Sequence, residues 1–233
     1  MSEKEEWARG RLRARLAARA TGTAPVGLRP LELGGTARDG YLYVPVSYRA
    51  QRPAPLVLLL HGADEDARDG LALLREQADG AGLILLALNS RGPTWDLSVG
   101  RGRYGLDIAA IDQALKQTLS RYAVDRTCIA VGGYSDGASY ALYLGITNGD
   151  LLTHVLAFSP GFMASAGRVG SPRIIVSHGT HDRWLPIDRC SRRIVPQLEL
   201  SGYEVRCREF GSGHVVPPEI AHEAVDWFIA ERD

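Results

Sequence analysis

The chain has 233 residues, with 27 Lys plus Arg balanced by 27 Asp plus Glu, so its formal net charge is zero. That length suits one domain around a large core, and the lack of a basic excess argues against nucleic acid or an anionic membrane as partner. No apolar run approaches the roughly 20 residues that span a bilayer.

The first 20 residues are charged throughout and carry no continuous apolar stretch, so they do not read as a secretory signal. Residues 3–20 are predicted to form a helix with Trp7, Leu12 and Leu16 loosely on one face, and this helix is a candidate dimer arm. Pro25, Gly27 and Pro30 predict a break. Residues 1–24 are thus expected as a helical extension, and residues 25–233 as the main domain. Tyr41 to Tyr48 is strand-like. Then short apolar runs alternate with helical patterns. Leu56–Leu60 ends at His61-Gly62, and a helix is expected over 68–80. Leu83–Leu88 is a second run, followed by a helix over 105–122. Cys128–Val131 is a third, followed by a small-residue helix over 136–147. His154–Phe158 and Arg173–Ser177 are the next two, and a helix over 188–200 should be kinked or split by Pro196. Glu204–Phe210 is a last strand, and Pro217–Ala230 a last helix with prolines in its first turn.

Continuously apolar strands alternating with helices predict an α/β domain, a mostly parallel sheet covered on both faces. No segment between strands is long enough for a large lid. The cysteines, Cys128, Cys190 and Cys207, are odd in number and include no C-x-x-C pair. A disulfide framework and a thiolate metal site are both unsupported, and a reducing, cytoplasmic setting is expected.

In such sheets functional groups collect on loops at the carboxyl ends of strands. After the third run comes Gly133-Tyr134-Ser135-Asp136-Gly137, a G-x-S-x-G between a strand and a helix. Its glycines permit a sharp turn that projects the serine hydroxyl. A serine nucleophile needs a base, and the base an orienting acid. Of six histidines, His61 and His178 each precede a glycine and read as loop-shaping. His154 opens an apolar run, His222 lies within the last helix, and His181 belongs to the same loop as the expected acid. His214, in Gly211-Ser212-Gly213-His214 directly after the last strand, is the expected base. Asp182, after the fifth run, is the expected acid. Its competitor Asp188 reads as a helix N-cap. The tetrahedral intermediate needs an oxyanion hole, for which the backbone N–H groups of Asp136 and Ala63 are the candidates.

The order Ser135, Asp182, His214 resembles the α/β-hydrolase superfamily, and more closely its phospholipase/carboxylesterase-type serine esterases. The resemblance rests on Leu58-Leu59-Leu60-His61-Gly62, Gly133 to Gly137, His178-Gly179-Thr180-His181-Asp182 with Leu185-Pro186, Gly211 to His214, and Trp95-Asp96. It covers about residues 54–230. It implies the α/β-hydrolase fold and hydrolysis of a small-molecule carboxylic ester through an acyl-enzyme on Ser135, without metal or cofactor. Trp95, Phe162, Met163 and Trp184 are candidate walls of the acyl pocket. The chain departs from that group in carrying Asp136 where Gln is common, in the acidic Ala63-Asp64-Glu65-Asp66, and in its N-terminal addition. Thioesterase, lactonase, deacetylase and peptidase activities use the same residues and stay open. A catalytically silent binding protein on this fold is the alternative of a different class.

Overall fold

A computed structural model describes residues 2–16, 25–34, 39–99, 105–164 and 167–230. Eight strands form one sheet among these residues: β1 (Gly27–Pro30), β2 (Gly40–Val44), β3 (Ala54–Leu60), β4 (Ile84–Leu88), β5 (Val124–Tyr134), β6 (His154–Phe158), β7 (Arg173–Gly179) and β8 (Val205–Phe210). Their spatial order is β1-β2-β4-β3-β5-β6-β7-β8. β1 and β2 run antiparallel to their neighbours, and every other pairing is parallel. This is the mostly parallel sheet expected from the alternation of runs and helices, in the α/β-hydrolase arrangement that the resemblance implies.

Alternate residues of the central strands feed two cores. In β3, Leu56, Leu58 and Leu60 pack with α5 (Leu106–Arg121), α6 (Asp136–Thr147) and α7 (Ser191–Leu200). Val57 and Leu59 pack on the other face with α2 (Ala67–Ala72), α3 (Arg75–Ala81) and α8 (Pro218–Ile229). Every residue of β3 and β4 is buried. Burial on both faces removes the polar/apolar alternation that a one-sided strand would show.

The N-terminal expectation is corrected. Among the described residues, the helix predicted over 3–20 forms only as α1 (Glu3–Trp7), started by a Ser2–Glu5 capping box. Residues 11–16 run on without helix, and residues 17–24 lie outside the described residues. Tertiary groups take the backbone donors a helix would have used. Asp112 accepts the N–H groups of Arg13 and Ala14, at 2.7 Å each, and the Trp7 indole at 3.0 Å. Asn148 accepts from Leu12 N and donates to Gly10 O, both at 2.8 Å. Leu12 and Ala14 are buried in the main core. A dimer arm built on a helix over 3–20 therefore lacks its helix.

Smaller differences follow the same logic. The helix expected over 68–80 is divided between α2 and α3 where the buried Leu74 leaves helical geometry. β1 and the short α4 (Asp96–Val99) were not foreseen. α7 continues through Pro196 without a break. Pro196 and Arg192 lie on its exposed side, so the carbonyl left without a donor can be hydrated. Asp188 does not cap α7; it lies in a single 3-10 turn and pairs with Arg192 at 2.8 Å. No helix among the described residues is long and apolar enough to cross a membrane.

Candidate active site

β5 and α6 meet at Ser135, whose backbone sits at φ 55° and ψ −118°, one of three non-glycine residues with positive φ among those described. The flanking glycines are there because nothing larger fits. A Cβ on Gly133 would strike the backbone of Gly137, and one on Gly137 would strike the carbonyls of Leu60 and His61. The elbow is thus pressed against the end of β3. The Ser135 N–H donates to Phe158 O at 2.9 Å, which ties the turn to β6.

The structure brings the three expected side chains into one line. His214 Nε2 lies 2.9 Å from Ser135 Oγ, and His214 Nδ1 lies 2.5 Å from Asp182 Oδ2. With Nδ1–H donating to the carboxylate, Nε2 is free to accept from the serine hydroxyl. Asp182 is buried, and its Oδ1 accepts the N–H groups of Trp184 and Leu185 at 2.9 Å each. Burial by itself would raise its pKa. The Leu185 N–H and the bond to His214 outweigh that effect and hold the carboxyl below its usual range.

The loops carrying acid and base are joined by backbone. Thr180 N donates to Phe210 O at 2.8 Å and His181 N to Ser212 O at 2.9 Å. A Cβ on Gly179 would strike the Ser212 and Gly213 carbonyls. Tyr134 adds a further hold. Its hydroxyl donates to His214 O at 2.6 Å, and its ring packs 4.8 Å from the imidazole.

The turn after β3 is braced from all sides. His61 Nδ1–H donates to Gly62 O at 2.6 Å, and its Nε2 accepts from Ser90 N at 3.0 Å. The Trp95 indole donates to His61 O at 2.9 Å. Gly62 N donates to Glu65 Oε2 at 2.7 Å, and Asp64, at φ 59°, donates its N–H to Pro93 O at 3.2 Å. Ala63 lies exposed in this turn, beside the elbow. Asp136 is the first residue of α6, where backbone N–H groups have no intrahelical acceptor. Its carboxylate accepts from Thr94 Oγ1 at 2.9 Å, linking the elbow to the loop after β4.

A model of the phospholipase/carboxylesterase family matches residues 107–226. The chain belongs to the phospholipase/carboxylesterase family. Membership makes it an ester hydrolase on an α/β-hydrolase fold. Solved structures agree on the fold. Esterase PE8 superposes with a TM-score of 0.67 at 25% identity, over 83% of this chain and 98% of that one. A thermostable esterase gives 0.67 at 21% identity, over 82% of this chain and 58% of that one. The Bacillus cereus carboxylesterase gives 0.60 at 20% identity, over 81% and 93%. Among curated proteins none matches.

The four expected pocket walls of this phospholipase/carboxylesterase family member separate. Trp95 is fully buried, stacked on Tyr140 at 5.3 Å, so it supports the turn after β3 from behind and does not line a pocket. Phe162 and Met163 are half-buried after β6, and Met163 packs against the main core. Trp184 is 84% exposed beside the acid loop. A cleft of about 400 Å³ is lined by His214, Tyr134 and Val215 and by the carboxylates of Glu65, Asp69 and Glu76, and by none of the four. Two residues that touch the line of three were not singled out for it from the sequence. Tyr134 stood inside the G-x-S-x-G motif without a role, and His178 had been read as loop-shaping. Of the described residues, no group of three or more His, Cys, Asp or Glu is placed to hold a metal.

Proposed function

We propose that this protein hydrolyses carboxylic esters through an acyl-enzyme on Ser135. The observation that carries this is His214, hydrogen-bonded to Ser135 Oγ on one nitrogen and to Asp182 on the other. Ser135 Oγ attacks the ester carbonyl while His214 Nε2 takes its proton. The Ala63 and Asp136 N–H groups receive the oxyanion. His214 returns the proton to the leaving alcohol, and water repeats the sequence on the acyl-enzyme. Asp182 holds the imidazole in the required tautomer and stabilises its charged form. Nucleophile, base, acid and donors all come from the chain, so the scheme calls on no metal or cofactor.

The base protonates the leaving oxygen, and we place the departing alcohol in the cleft that His214 helps to line. Its rim carries three carboxylates, and neither Lys nor Arg is among its lining residues. Such a rim disfavours an anionic leaving group, including a phosphate-bearing one, relative to a neutral alcohol. The carboxylesterase reading is therefore preferred to the phospholipase one. An odd number of cysteines without a C-x-x-C pair suits a reducing, cytoplasmic location.

A fluorophosphonate should label Ser135, with the adduct found by mass spectrometry and lost in Ser135→Ala. Labelling elsewhere, or none of the folded protein, would refute the acyl-enzyme. A panel of p-nitrophenyl esters of graded chain length, with a thioester, a lactone, an amide and an anionic ester, then ranks substrates. Esters should lead, and the anionic one should be slowest.

A further inference from the structure

Asp182 is faced by two histidines. The second is His178, near the end of β7, with no exposed surface. Its Nε2 lies 2.8 Å from Leu185 O and 3.2 Å from Asp182 Oδ2. Both neighbours are acceptors only, so Nε2 carries the proton. Its Nδ1 lies 2.6 Å from the hydroxyl of Ser191, the first residue of α7, and accepts from it. The ring is therefore fixed in one tautomer by three contacts.

We propose that His178 is a positioning residue: its Nε2–H ties the acid loop to β7 through Leu185 O, and its ring, 3.2 Å from Asp182 Oδ2, holds that oxygen toward His214. The proposal rests on the reading of Ser135, His214 and Asp182 given above. The carboxylate has three hydrogen-bond donors, Trp184 N and Leu185 N on Oδ1 and His214 Nδ1 on Oδ2, and His178 Nε2 stands beside Oδ2 as a close polar neighbour at 3.2 Å. The positive edge of the ring also draws charge from the oxygen that His214 uses, which limits how strongly Asp182 stabilises the imidazolium.

Neutrality matters, because a charged His178 would compete with His214 for the same oxygen. Burial pushes its pKa down, against the raising effects of the Leu185 carbonyl and Asp182. The other ionisable groups around it are His214 across Asp182, Cys190 just before α7, and Glu209 opposite it on β8. Glu209 is engaged by Arg192 of α7 at 2.9 and 2.7 Å.

The test compares His178→Leu, which removes the donor, with His178→Gln, which can place an N–H near the former Nε2. In the leucine variant kcat should fall about tenfold, the size expected when one hydrogen bond to a charged group is lost in the transition state. KM should hold, and the acid limb of kcat/KM should move up by about half a pH unit as Asp182 becomes more basic. The glutamine variant should recover most of kcat and the original profile. A folded leucine variant with unchanged kcat and profile overturns the proposal, as does an equal loss in both variants without any shift.

If the leucine variant does not fold, nitrogen-15 NMR of the wild-type imidazoles decides. Above about pH 7 His178 should show a protonated Nε2 and an unprotonated Nδ1. A bare Nε2, or a neutral ring with its proton on Nδ1, overturns the proposal. Fluorophosphonate labelling of wild type is run in parallel. Its failure would remove the acyl-enzyme reading, whereas the tautomer measurement reports on His178 by itself.

Discussion

At the scale of single residues, Ser135 occupies a backbone region that side chains avoid. A non-glycine residue there costs about 1–3 kcal/mol, held in place by the rest of the fold. The cost is separable from the chemistry. Ser135→Gly and Ser135→Ala both remove the hydroxyl and should both abolish turnover. Only glycine relieves the positive φ. The glycine variant should therefore be more stable than the alanine variant by ~1 kcal/mol, read from urea denaturation midpoints. Asp182 and His214 were legible because each follows a strand that ends at the same edge of a parallel sheet. Their contacts with Tyr134 and His178 were not. His178 precedes a glycine at a strand end just as His61 does, and only one of the two touches a reacting group's partner. Sequence neighbours do not distinguish them; the fold places Asp182 within reach of one.

At the scale of elements, the N-terminal segment shows how buried polar groups override helical periodicity. Asp112 and Asn148 are both fully buried, and residues 7–14 supply most of their partners, with Leu144 O a further acceptor for Asn148 at 3.0 Å. Lys116 offers Asp112 one other contact, at 2.9 Å. Removing residues 1–16 would leave these acceptors and donors without their backbone partners and open the core at Leu12 and Ala14. Each stranded polar group costs ~1–3 kcal/mol. The truncated protein should lose several kcal/mol, seen as a large fall in Tm or as aggregation, while a truncation ending before Trp7 should be nearly neutral. Single-sequence periodicity could not reveal this, because Trp7, Leu12 and Leu16 fit a loose helical stripe and Asp112 lies about a hundred residues away. The division of the 68–80 helix has a similar origin: buried Leu74 is drawn to the core beneath β3 and β4 and the backbone yields.

At the scale of the whole molecule, the loop after β4 is closed by two carboxylates. Asp107 accepts the N–H groups of Arg91 at 2.6 Å and Asp96 at 2.7 Å. Asp96 in turn accepts from Gly105 N and the Tyr140 hydroxyl, at 2.9 and 2.8 Å. Burial raises the Asp107 pKa to about 6, against the lowering effect of the Arg91 N–H. Its folded pKa lies above the unfolded one, so the folded state holds this proton more tightly. The resulting stabilisation is full below about pH 4, is lost as pH rises toward 6, and amounts to ~3 kcal/mol. Asp182, whose pKa is lowered, acts in the opposite sense and loses its contribution as pH falls through its folded value. Carbon-13 carboxyl titration should find one aspartate with a midpoint near 6, assignable to Asp107. All aspartates titrating below about pH 5 would contradict it.

The amino-acid order alone specified a parallel α/β sheet, because strands buried on both faces must be apolar without alternation. It also specified the elbow, because only glycine fits at Gly133 and Gly137, and it ordered nucleophile, acid and base along the chain. The tertiary structure decided what depends on distant groups meeting. It set the meeting of Asp182 with His214, the place of Trp95 behind the turn after β3, the meeting of His214 with the carboxylates of the cleft, and the non-helical course of residues 11–16 against Asp112 and Asn148. Each is a contact between segments tens of residues apart, and local pattern carries no record of which segments will meet.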